Sequence, residues 1–115
     1  MATLAEKGSN PAPTCHKAER IPGPDGTVEW WDDPISDDEA VVCLREQIDI
    51  VVRGPDRREN RNKARDLMVA AFGGFEEDKP HGGRMALPHF HPFDRSPEVH
   101  AFFESPPRHA RKRKP

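Results

Sequence analysis

Three histidines in the last third of the chain, His89, His91 and His100, are the densest chemical resource of the sequence. Written on an extended strand, the H-x-H pair projects both imidazoles to one face, because side chains alternate with period two. An imidazole titrates near neutrality, so two of them can supply the neutral base and the protonated acid needed when an RNA 2′-hydroxyl attacks its own phosphate. A neighbouring guanidinium would hold the phosphate and stabilise the charge that builds up in the transition state. The expected catalytic groups are therefore His89, His91 and His100, with Arg53, Arg57, Arg84 and Arg95 as the expected substrate-binding groups and no resident metal or cofactor. Zinc is the alternative: two imidazole nitrogens on one face, completed by His100 or Asp94, make a plausible start to a ligand set. A purely structural reading also stands, in which the rings are partly buried and satisfied by backbone carbonyls. His81 lies on the loop ahead of the cluster.

The elements that must position these groups are legible in part. Residues 85–93 and 99–104 read as two strands joined by Asp94-Arg95-Ser96-Pro97-Glu98, a connection suited to a hairpin. Pro88 and Pro92 cannot donate to a ladder, which puts the first strand at an edge or gives it a bulge. Whether His100 shares the face of His89 and His91 depends on a one-residue choice of register. Upstream, Ser36-Asp37-Asp38-Glu39 is an S-x-x-E capping box, and Ala40, Val41, Leu44 and Ile48 form one apolar stripe behind it, giving a helix over 37–47. Asp56-Arg57-Arg58-Glu59 opens a second helix over 57–72, with Ala64, Leu67, Met68, Ala71 and Phe72 on one face and Gly73-Gly74 as the stop. Its polar face carries Arg57, Arg58, Arg61, Lys63 and Arg65. The β-branched run Ile48-Asp49-Ile50-Val51-Val52 reads as a central strand through Arg53, and Thr27-Val28-Glu29-Trp30-Trp31 as a short strand with its tryptophans on opposite faces. Glu76-Glu77-Asp78 reads as an acidic turn.

These elements imply an α+β fold: two helices packed on a small, mostly antiparallel sheet ending in a β-hairpin. Residues 1–20, rich in Gly, Pro and polar groups, read as a mobile leader, 21–105 as the single domain and 106–115 as a basic tail. With 34% hydrophobic and 33% charged residues and 13 prolines, the chain has material for one modest core. No apolar run is long enough to cross a membrane, and the first residues lack the apolar stretch of a secretory signal. Cys15, in a Pro-rich stretch, and Cys43, on an apolar helix face, are not expected to pair. The net charge of −2 conceals an asymmetry: residues 1–52 hold 11 acids against 4 bases, residues 53–115 hold 14 bases against 9 acids. The basic half also carries the central histidines, which points to an anionic partner such as nucleic acid, RNA foremost.

A further pattern runs through Asp49-Ile50-Val51-Val52, Gly54-Pro55, Asn60 or Asn62, Ala64 and Pro80-His81. It continues through Ala86-Leu87-Pro88-His89-Phe90 and His100-Ala101-Phe102-Phe103-Glu104. It resembles the small C-terminal domains of Rhs-repeat polymorphic toxins over about residues 36–104, with A-L-P-H-F followed by H-x-F-F-E as its most specific piece. Val99 stands where that pattern would have glycine, and Phe103 where it would have tyrosine. The resemblance implies a toxin-type nuclease used in bacterial competition, a cognate immunity protein as protein partner, and a location in the cytoplasm or delivery into a target cell within a larger secreted system. The competing expectations are a non-enzymatic protein-binding module of such a system, using the Trp30-Trp31 and Phe90-Phe93 surfaces, and a metal-dependent hydrolase.

Overall fold

The computed structural model describes residues 12–80, 83, 85–95 and 97–113. Among these residues seven strands and two α-helices follow one another as β1 (Thr14–Arg20), β2 (Val28–Ile35), α1 (Asp37–Arg45), β3 (Ile50–Arg53), α2 (Arg57–Phe72), β4 (Glu76–Asp78), β5 (His89–His91), β6 (Ala101–Phe103) and β7 (Arg111–Lys112). They form one sheet in the order β4-β5-β6-β3-β1-β2-β7. Four neighbouring pairs are antiparallel, while β3–β6 and β2–β7 are parallel. Both helices pack on one face, which gives the α+β architecture with a mostly antiparallel sheet.

Local chemistry sets the helices. Ser36 Oγ accepts from the Glu39 amide at 3.1 Å, and the Glu39 carboxylate accepts from the Ser36 amide at 3.1 Å. One Asp56 oxygen accepts from the amides of Arg58 and Glu59 at 2.9 and 3.1 Å, satisfying donors that the first turn of α2 leaves free. Gly73 ends α2 at φ 81°, a left-handed conformation that costs glycine nothing. The apolar stripes Ala40, Cys43, Leu44 and Ala64, Leu67, Met68 close on Cys15, Ile50, Val52, Phe90, Ala101 and Phe103, the inward residues of four strands. A smaller apolar cluster, Ala18, Val28, Val51, Leu87, Phe102 and Ala110, occupies the opposite face.

Several expectations change. The leader does not run to residue 20: Thr14–Arg20 is a strand flanked by β2 and β3, and Cys15 is a buried free thiol in the main core. A segment as polar as T-C-H-K-A-E-R gives no clear alternation, and it is held by pairing on both sides. Glu76–Asp78 is an edge strand, not a turn. The strand at 85–93 contracts to His89–His91, since Pro88 and Pro92 bracket it. The tail is not free either. Beyond the Ser105–Arg108 bridge, Arg111–Lys112 pairs in parallel with β2 as the far edge of the sheet. Among the described residues no helix is long and apolar enough to cross a membrane.

Candidate active site

The register of β5 against β6 decides where the histidines go. His89 lies opposite Phe102 and Phe90 opposite Ala101. Phe90 and Ala101 point into the helical core, so His89, His91 and His100 project from the other face, the one opposite α1 and α2. The rings confirm it: the His89 centroid is 6.1 Å from His91 and 5.0 Å from His100, edge to face with the latter. Phe102 stacks beside His100 at 5.3 Å. The three histidines expected to act together are thus brought together, and the open question of His100 closes in favour of a shared face.

Neighbouring strands bring carboxylates to the same rings. On β4, Glu76 lies opposite His91 and Asp78 opposite His89. Asp78 Oδ2 is 3.4 Å from His89 Nε2 and 3.3 Å from His91 Nε2, and Glu76 Oε1 is 3.8 Å from His91 Nδ1. The other nitrogens face backbone: His89 Nδ1 is 3.3 Å from the Leu87 carbonyl and His91 Nδ1 3.0 Å from that of Pro92. On the far side, Asp49 precedes β3, and its Oδ1 accepts from the His100 amide at 2.8 Å and lies 3.3 Å from His100 Nδ1. One carboxylate therefore holds both the backbone and the ring of His100.

Burial divides the three. His89 and His91 are 5% and 1% exposed, with backbone oxygens as neighbours, whereas the His100 side chain keeps 24% of its surface. The first two match the structural expectation more closely than the acid/base one, and His100 retains solvent access. Among the described residues no group of His, Cys, Asp and Glu is arranged to hold a metal ion. Asp94, the alternative zinc ligand, is exposed on the turn at Phe93–Arg95.

The arginines do not gather there. Arg53 Nε donates to Glu104 Oε2 at 3.1 Å, and its guanidinium lies 4.4 Å from the centre of the Trp30 ring. Arg57 Nε donates to Ser105 Oγ at 2.7 Å. Arg53 faces the same side of the sheet as the histidines but two residues beyond Val51, next to Glu104 just after β6, so it belongs to another corner of that face. Arg84 and the side chain of Arg95 lie outside the described residues, as does His81. The basic face of α2 is largely paired internally: Arg61 grips Glu77 through two bonds of 2.9 and 2.7 Å, and Lys63 meets Asp37 at 2.9 Å.

Comparison with protein-family models, with curated proteins and with solved structures finds no match to this chain.

Four polar residues had no site role in the sequence reading. Asp49 sits on a run read as an apolar strand, and its meeting with His100 needs the parallel β3–β6 neighbour. Glu76 and Asp78 carried a usable signal, since E-x-D and H-x-H share period two and match as antiparallel partners. Glu104 is 2% exposed, and besides Arg53 it accepts from the Ala110 amide at 2.8 Å and lies 3.7 Å from His109 Nδ1. His100, Phe102 and Glu104 alternate through β6 and the residue on either side of it, which places all three on the same face.

Proposed function

We propose that the chain is a toxin-type nuclease domain that cleaves RNA by histidine acid/base catalysis. The observation that carries this reading is the β5–β6 register, which sets three imidazoles on the sheet face opposite α1 and α2 with His100 both solvent-accessible and held by Asp49. His100 serves as the base. It takes the proton of the 2′-hydroxyl as the 2′-oxygen bonds to phosphorus, and that proton returns through a water molecule to the 5′-oxygen as its bond to phosphorus breaks, while the enclosed ring of His89, 5.0 Å away, packs edge to face against the base and keeps it in place. His91 holds the strand edge and the Asp78 carboxylate that both buried imidazoles share. In this reading an immunity protein neutralises the domain, which acts in the cytoplasm or after delivery as part of a larger secreted system.

The test is incubation of labelled RNA with purified protein in the presence of a chelator, beside a His100→Ala variant of unchanged thermal stability. Wild type should degrade the RNA, and the variant should be slower by about a hundredfold to ten-thousandfold, the scale for losing a positioned base. Equal cleavage by both proteins would remove the histidine mechanism. Activity that disappears with chelator and returns with zinc would move the reading to a metal-dependent hydrolase.

A further inference from the structure

On the sheet face opposite α1 and α2, at the corner away from the histidines, two cavities adjoin, sharing Thr14 and Arg53 in their walls. One, of about 340 Å³, is bounded by Gly54, Pro55, Glu104 and His109. The other, of about 460 Å³, is bounded by Trp30, Asp33 and Lys112 among others. From this arrangement we infer a second ligand site on the chain, one that binds a phosphate group between Arg53 and Lys112. The inference rests on the nuclease reading only for the source of that phosphate, an RNA backbone.

The argument starts with Glu104. Its carboxylate is buried, and the Ala110 amide and Arg53 Nε both donate to it. That fixes the guanidinium from behind by its Nε. Among the described residues, no hydrogen bond or carboxylate engages the two terminal nitrogens, and the side chain keeps 31% of its surface. A guanidinium held in this way presents a fork suited to two oxygens of a phosphate. Lys112, whose ammonium lies 5.6 Å from the centre of the Trp30 ring, forms no ion pair among the described residues. Two cations therefore gather on one indole, and the ring quadrupole tolerates them there. An anion between them would relieve their repulsion.

Formal charge around the cavities is balanced, because Asp33 and Glu104 offset Arg53 and Lys112. Geometry breaks the balance. Glu104 is enclosed and already bonded, so the accessible side of the Arg53–Glu104 pair is its cationic side. Asp33 stands exposed on the rim and opposes an anion. His109, 52% exposed and 3.7 Å from Glu104, borders the smaller cavity and adds a donor when protonated. This predicts effects of opposite sign at two exposed residues, which a structural role for either would not produce.

The experiment uses the full chain with Trp31→Phe, which leaves Trp30 as the single tryptophan reporter. The probes are inorganic phosphate and a short single-stranded 2′-deoxy oligonucleotide, which lacks the 2′-hydroxyl and is not cleaved. Both should perturb Trp30 emission, and phosphate should compete with the oligonucleotide. Lys112→Gln should weaken oligonucleotide binding about tenfold, the scale of one charge-assisted hydrogen bond, and make its salt dependence shallower by about 0.7 in log–log slope. Asp33→Asn should tighten binding. A response to phosphate without one to the oligonucleotide keeps the site and assigns it a small phosphate compound. If neither probe perturbs Trp30, or if Lys112→Gln and Asp33→Asn both bind as wild type, the site is overturned. Because cleavage by the His100→Ala protein is measured separately, the two readings can fail independently.

Discussion

An imidazole acts as a base only where substrate can reach it, and that separates three histidines which the sequence treats alike. Replacing His100 should affect rate while leaving stability nearly intact. Replacing His91, which is enclosed and bonded to backbone, should do the reverse. We expect His91→Ala to cost about 2 kcal/mol in chemical denaturation, since it empties a filled site and unpairs a buried carbonyl. Asp49→Asn should slow cleavage less than His100→Ala, because the amide oxygen can still accept from the His100 backbone. A different titration belongs to Cys15, whose burial in the core pushes its thiol up to about 12. Burial disfavours the thiolate, so the unfolded chain gives up this proton first, near pH 8.5. The contribution to stability is complete below that value and declines as pH rises toward 12. Denaturation midpoints measured from pH 7.5 to 10.5 should therefore fall more steeply in wild type than in Cys15→Ala. Thiol reagents should leave Cys15 unmodified until the protein unfolds.

Among the elements, α2 and β4 are tied by Arg61 and Glu77, and the guanidinium holds the Glu77 carboxyl below its ordinary range. A depressed carboxyl stabilises the fold above its unfolded pKa, near 4.3, and that stabilisation is lost as pH falls through the lower folded value. Thermal melts between pH 6 and 3 should show a smaller acid-induced drop for Glu77→Gln than for wild type. The helices were legible because their signals are local: a capping box at Ser36, an N-cap at Asp56 and a glycine stop at Gly73 lie within a turn of what they specify. The strands were legible only where apolar runs marked them, as at Ile50–Arg53. Thr14–Arg20 and Arg111–Lys112 are polar segments whose strand character comes from partners far along the chain. The histidine site stood between these cases. His89 and His91 could be placed on one face from period alone. The position of His100 was a matter of register, and its partner Asp49 depended on a parallel pairing that local sequence does not encode. Phe90, offered as a binding surface, is core because the same register turns it inward, whereas Phe93 is exposed.

Across the whole molecule, the split between an acidic first half and a basic second half is largely met inside the fold. Lys63 meets Asp37, Arg111 meets Glu29 and Arg113 meets Glu19, each joining the basic half to the acidic one. What remains uneven is the perimeter of the sheet. With Glu77 bound by Arg61 and Arg111 by Glu29, the exposed charge that each border still offers is Glu76 on β4 and Lys112 on β7. Charged, short border strands discourage further strand addition, and like borders on two molecules repel. Unlike borders attract. A β4 border meeting a β7 border is a head-to-tail contact, which propagates as an open chain of molecules unless its rotation closes a ring. With only two or three residues on each border such contacts are weak, and added salt screens them over a Debye length of about 10 Å at 0.1 M. The protein should accordingly salt in: light scattering of concentrated samples at neutral pH should be highest in dilute buffer and fall as sodium chloride rises to that level, with Glu76→Lys abolishing the effect.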